Sequence, residues 1–183
     1  MKIAGLDTET TGLKPEKGDR IIEICAIKVD TAPGVTDRTS LFLKRLNPRK
    51  QIAPEATAVH HITNDDVADE PFFEDIADEL SEFLSDADLL VCHNLAFDGA
   101  FLVSEYERVK KPVPDIEGFC TMETGRWATG TGKLPSLEEL CFTCGIPYEH
   151  EKAHAAQYDV DRMLKCLFIG LKNKWYTLKK EGE

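Results

Sequence analysis

Nowhere does the chain carry the 18 or so consecutive apolar residues that a membrane-spanning helix needs. Met1 leads straight into Ile3-Ala4-Gly5-Leu6 with neither a basic leader nor a cleavage site, so the expectation is a soluble, cytoplasmic protein with no membrane partner. The dense cysteine of a small secreted scaffold is also absent. The six cysteines, at 25, 92, 120, 141, 144 and 166, fall in apolar or helix-like stretches and are read as reduced thiols. Between Gln51 and Glu107 there is no Lys or Arg at all, against fifteen Asp and Glu, while the rest of the chain holds all 22 basic residues. The net charge of -11 is therefore concentrated in one region, which argues against broad coating of a duplex but leaves another surface free to meet a polyanion.

What is present reads as one layered domain over residues 1–175 with a short polar tail at 176–183. At 183 residues the chain can bury roughly 70% of its unfolded surface without help from disulfides or a structural metal. Lys2 to Leu6, Arg20 to Val29 and Ser40 to Leu46 read as three strands with short connections, hence an antiparallel meander. After Pro54 the period becomes helical: Thr63 can cap a short segment, and Phe72, Phe73, Ile76, Leu80, Phe83 and Leu84 form one apolar stripe. Leu89 to Cys92 is a further buried strand, followed by a helix over Ala96 to Val109 and a loop between Lys110 and Gly118. Ser136-Leu137-Glu138-Glu139 is a capping-box pattern opening a helix that Gly145 ends, and a last helix runs from about Ala155 to Leu171.

Three segments carry candidate chemistry. Asp7 and Glu9 follow an apolar strand, and residues two apart on a strand project from one face, so the two carboxylates aim at one point. Hard divalent cations take such oxygen ligands, although a polar strand end turning into a loop explains the pair equally well by itself. Asp98 lies where the next helix begins, behind Asn94 and Phe97. His154 and Asp159 are five residues apart, about 140° on a regular helix, so His154 belongs in the loop before it, where an imidazole can reach a water as general base.

Taken together, Asp7-x-Glu9, Asn94-x-x-Phe97-Asp98 and His154-x4-Asp159 resemble the three motifs of the DnaQ-like DEDDh exonucleases, a branch of the RNase T-like superfamily. The likeness extends through Asp7-Thr-Glu-Thr-Thr-Gly-Leu13, Arg20-Ile-Ile-Glu-Ile24, Pro54-Glu-Ala-Thr-Ala-Val-His60 and Leu137-Glu-Glu-Leu-Cys141, nearly the whole chain. One departure is His61, where many members have Gly. The resemblance implies an RNase H-like α/β fold: a mixed sheet of about five strands, the first three antiparallel, flanked by helices. It implies two divalent ions, Mg²⁺ or Mn²⁺, on Asp7, Glu9, Asp98 and Asp159, with His154 deprotonating the attacking water and 5'-monophosphates leaving from a 3' end. It also places Thr10, Thr11, Gly12, Leu13, Val59, His60, Asn94 and Phe97 around the terminal nucleotide, although Val59 and Phe97 read equally well as core.

Single-stranded DNA or its 3' ends are the favoured partner, with RNA as the alternative and a non-catalytic nucleic-acid or polymerase-binding module as the rival class. Only about a dozen residues follow the last helix, which points to a stand-alone enzyme and gives no indication of a polymerase partner. Members of the family commonly dimerise, which leaves a homodimer open. Two basic clusters, Lys44, Arg45, Arg49 and Lys50, and Lys172, Lys174, Lys179 and Lys180, are candidates for phosphate contact or for solvated surface. Cys141-x-x-Cys144 with His150 and His154 has too short an interval for a zinc finger, and its thiols fall inside a helix.

Overall fold

The computed structural model describes residues 1–34 and 39–178. Five strands form one sheet in the order β3-β2-β1-β4-β5: β1 (Lys2–Thr10), β2 (Ile21–Asp30), β3 (Thr39–Arg45), β4 (Leu89–Cys92) and β5 (Gly118–Cys120). The first three are antiparallel, and β4 and β5 run parallel to β1. β5 is a three-residue strand that starts at Gly118, where the stretch read from the sequence as loop ends. Its partner supplies what its own propensity lacks, for it forms by pairing Val91 and Cys92 with Phe119 and Cys120. Lys179 and Lys180 lie outside the described residues.

Alternation along β1 divides the core in two. Ala4 and Leu6 face the layer of α2 (Phe73–Leu84) and α3 (Leu95–Arg108), packing with Phe73, Ile76, Leu80, Phe101 and Tyr106. Ile3 faces the layer of α4 (Leu137–Cys144) and α5 (Ala156–Lys172), packing with Leu140, Val160, Met163 and Leu167. The domain is thus a sheet between two helical layers. Gly5 lets α5 come close, since a Cβ there would sit 2.8 Å from Leu164. This close approach falls one inward-facing position before Asp7, and α5 also carries Asp159.

The capping box forms as its sequence implies: Ser136 Oγ accepts the Glu139 N–H at 3.2 Å and Glu139 Oε2 accepts the Ser136 N–H at 2.9 Å. Tyr176, read as the start of a polar tail, is buried and donates to the Thr121 carbonyl at 3.0 Å. Trp175 stays partly exposed and stacks on Trp127. Cys141 Sγ lies 3.6 Å from Cys166 Sγ in the α4–α5 interface, and all six cysteines are free. No helix among the described residues is long and apolar enough to cross a membrane.

A short helix α1 (Pro54–His60) ends at His61, whose φ of 61° is left-handed while its side chain is exposed. That is the position a glycine fills without strain. His61→Gly is therefore expected to stabilise the domain by about 0.5 to 1 kcal/mol, the relief of left-handed strain outweighing the added freedom of the unfolded chain. Urea midpoints of the two proteins check this, and a lower midpoint for the variant would refute it.

Candidate active site

Four carboxylates meet at the C-terminal end of β1, each brought by a different constraint. Asp7 and Glu9 share the α5 face of the strand, which runs to Thr10, four residues beyond the apolar stretch that announces it. Asp159 comes from the first turn of α5 on that same face. Asp98 comes from the first turn of α3 on the other side, where its Oδ1 accepts the Thr8 hydroxyl at 2.8 Å. Ahead of it, Asn94 begins α3 with φ 111°, a left-handed conformation that Asn tolerates better than most residues. Its strained turn joins β4 to α3 without lengthening the loop.

Burial and mutual repulsion push these acids towards their neutral forms. Asp7 is raised well above the usual carboxylate range, by burial first and then by Asp98, Glu9 and Asp159. Burial, followed by Asp159, Glu23 and Asp98, pushes Glu9 up to about 9. Burial lifts Asp98 to about 7 against the opposing Thr8 hydrogen bond. Asp159 is also raised by burial, partly offset by the His154 N–H, which its Oδ2 accepts at 3.0 Å. The Tyr148 hydroxyl also lowers it from nearby, but no group stands in hydrogen-bonding geometry to its buried Oδ1.

An orphaned carboxylate oxygen among three further desolvated acids fits hard cations, which would neutralise the repulsion and satisfy the acceptor. Among the described residues no three His, Cys, Asp or Glu side chains are drawn in tightly enough to enclose a metal ion by themselves. That also fits an ion such as Mg²⁺, which keeps several waters and binds through a few carboxylates rather than an all-protein cage.

The acids open into a cleft of about 970 Å³. Thr10, Gly12, Leu13, Val59, His60, Asn94, Phe97 and His154 all border it. Leu13 and Val59 are exposed there, and Phe97 is half-buried against Phe101. Thr11 alone of the expected residues does not border the cleft. It is buried, its hydroxyl accepting the Arg20 N–H at 3.0 Å and facing Asp19, so it braces the loop rather than lining it. Gly12 is required by the same brace, because a Cβ would meet the Asp19 carboxylate at 2.5 Å.

Three imidazoles border the cleft, and two are committed elsewhere. His60 accepts the Ile62 N–H at Nδ1 (3.0 Å), so Nε2 carries the proton and faces the Thr10 carbonyl at 3.3 Å. Burial lowers its pKa and keeps it neutral. His93 lies between Thr121 Oγ1 at 3.0 Å and the Pro135 carbonyl at 3.2 Å, and burial holds it down at about 4. His154 is exposed at the mouth, between a 3-10 turn at His150–Lys152 and α5, and only its main-chain N–H is engaged among the described residues.

The structure adds residues that the motifs do not announce. Glu23 stands directly opposite Glu9 in the β1–β2 register and is held by Arg45 at 2.9 Å. His93 and Lys14 also border the cleft, each beside a residue the motifs do single out. The basic cluster at 44–50 is spent on ion pairs, with Lys44 to Glu79, Arg49 to Glu74 and Lys50 to Asp19 completing the set.

A carboxylate cluster of this kind beside an open groove suits hydrolysis of a phosphodiester, and the chain belongs to the RNase T exonuclease family, which it matches over residues 4–167. Its class is the exonucleases. The DNA polymerase III subunit epsilon of Buchnera aphidicola subsp. Schizaphis graminum is 32% identical over a 191-position alignment covering 100% of this chain and 76% of the relative. That of Escherichia coli K12 is 33% identical over 162 residues, 84% of this chain and 65% of the relative. The chain thus spans about two thirds to three quarters of these curated relatives. Exonuclease X, solved in complex with 5' overhanging duplex DNA, has a TM-score of 0.66 at 26% identity, covering 96% of this chain and 94% of that one. The nuclease domain of 3'hExo, a DEDDh member bound to rAMP, has a TM-score of 0.76 at 15% identity, covering 98% and 96%, a likeness of fold.

The raised carboxylates make a pH prediction. A carboxyl whose folded pKa lies above its unfolded one contributes stability that is complete below the ordinary carboxylate range and lost as pH rises through the folded value. With Asp98 at about 7 and Glu9 at about 9, the metal-free protein should lose stability from about pH 4 up to about pH 9. Its melting temperature should fall between about pH 5.5 and 8.5. Millimolar Mg²⁺ or Mn²⁺ should restore it at the higher pH far more than at the lower. A metal-free melting temperature that rises across this range would contradict the cluster's electrostatics.

Proposed function

We propose that this domain removes nucleotides one at a time from the 3' ends of single-stranded DNA, in the cytoplasm, releasing nucleoside 5'-monophosphates. The observation that carries the reading is the quartet of half-buried Asp7 and buried Glu9, Asp98 and Asp159, with an unpartnered Asp159 oxygen, at the floor of an open cleft. The quartet would hold two divalent cations, Mg²⁺ or Mn²⁺, whose chemistry when bound is to acidify the attacking water and offset charge on the phosphate. His154, the cleft imidazole with an uncommitted ring, takes the water's proton. Leu13, Val59 and Phe97 offer apolar faces on which a terminal base can stack whatever its identity. His60 acts through the backbone: its ring holds the Thr10 carbonyl, and Thr11 braces the neighbouring turn. The epsilon relatives are DNA polymerase III subunits by name, which makes a DNA polymerase the partner to test.

The test is a time course on matched 5'-labelled single-stranded DNA and RNA with Mg²⁺ or Mn²⁺, and with EDTA as control. A metal-dependent ladder shortening from the 3' end, faster on DNA, is the expected result. Faster RNA loss would reassign the substrate. No cleavage of either strand by folded, metal-supplied protein would overturn the enzymatic reading in favour of a binding module.

A further inference from the structure

The segment that bears His154 is fastened at both ends to a single turn of α5. At the near end, Asp159 Oδ2 accepts the His154 N–H at 3.0 Å. At the far end, the Tyr158 hydroxyl accepts the Glu149 N–H at 2.6 Å. Between these two points run the 3-10 turn His150–Lys152 and the left-handed residue His154 itself, with φ 60°. A non-glycine residue in that region persists only where its surroundings hold it there. The Tyr158 ring is itself fixed, lying against Tyr148 at 5.7 Å and under the Arg162 guanidinium at 4.6 Å. Tyr158 is not among the residues that border the cleft.

We propose that Tyr158 is a positioning residue for His154: its hydroxyl anchors the Glu149 end of the loop so that the imidazole stays aimed at the water site. The proposal rests on the reading of His154 as general base. Adjacent residues 158 and 159 point one way to the loop's start and the other way to its end, so the same rigid turn that carries an acid of the cleft also sets the base. With the Tyr158 contact gone, the Asp159 contact and the solvent-exposed His150–Glu138 pair at 3.1 Å are left, which lets the Glu149 end of the loop shift, and a misplacement of about 1 Å at His154 is enough to cost a large part of the rate.

Tyr158→Phe removes the hydroxyl and keeps the ring. Glu149 is exposed, so water can take its freed N–H and the fold should be unaffected. The expected result is a kcat lowered about tenfold with KM within about twofold. Amide exchange over residues 149–153 should be faster in the metal-free, substrate-free protein, with β1 unchanged. In a His154→Ala background, the same substitution should lower kcat no further, because its effect passes through the missing ring. Unchanged kcat in Tyr158→Phe, or an undiminished loss in the His154→Ala background, would overturn the positioning role. Wild-type kcat in His154→Ala alone would instead overturn the base assignment and the proposal with it, while the exchange result would still report the anchor.

Discussion

Asp7→Asn is expected to reduce exonuclease turnover on the order of 10³-fold or more while leaving the domain folded. Asn keeps the shape of the side chain but removes one of the charges a cation needs, and the stabilisation at risk is several kcal/mol at about 1.4 kcal/mol per tenfold. The fold should not suffer, because Asp7 in the metal-free protein stands among Asp98, Glu9 and Asp159, all of which repel its charged form. At about pH 8.5 the metal-free variant should melt at or above the wild-type temperature and gain less from added Mg²⁺. Initial rates on a 3' end and paired melting curves with and without metal measure both effects. Wild-type turnover would remove Asp7 from the reaction, and an unfolded variant would mean that the charge is structural.

The largest effect on stability is expected at Glu105, about two turns along α3 from Asp98. This carboxylate is fully buried, accepts Arg20 Nε at 2.7 Å and Nη2 at 2.8 Å as a two-pronged pair, and also accepts the Ile21 N–H at 3.1 Å. Arg108 approaches it at 3.2 Å. Breaking a buried pair leaves the other charge uncompensated, typically at a cost of about 3 to 5 kcal/mol. Arg20 keeps some contact with solvent and has the Pro48 carbonyl at 3.4 Å, so about 3 kcal/mol is the expected loss for Glu105→Ala. Urea unfolding should show this as a lower midpoint at unchanged slope, with Glu105→Gln recovering part of it. A loss under about 1 kcal/mol would mean that Arg20 finds other partners. Activity should fall too, since the Arg20 N–H bonds to Thr11, and Thr11 braces the loop that borders the cleft.

These two residues differ in how far a reader of the sequence can see them. Asp7 and Glu9 are legible because strand parity puts residues two apart on one face, whatever the rest of the chain does. The stripe of α2 and the capping box of α4 are legible for the same reason, being short-range periodic or reciprocal patterns. Glu105 is not: it sits in a helix as any acid does, and its partner Arg20 is 85 residues away. Glu23 is equally silent, because only the β1–β2 register puts it opposite Glu9, and a slip of one residue would turn it to the other face. Thr11 belongs to the same motif as Thr10 and Gly12, yet its contact with Arg20 turns it inward. Tyr176 looks like the start of a tail until Thr121 receives its hydroxyl.

The order of the three motifs along the letters therefore specified the family, and short-range patterns specified the alternation of strands and helices and singled out the acids and histidine as candidates. Which imidazole keeps a free ring, which acids lose their solvent, and which buried pair holds the cleft's edge depended on packing. Those properties belong to contacts between segments tens of residues apart, and such contacts exist only once the sheet register and the helical layers are in place.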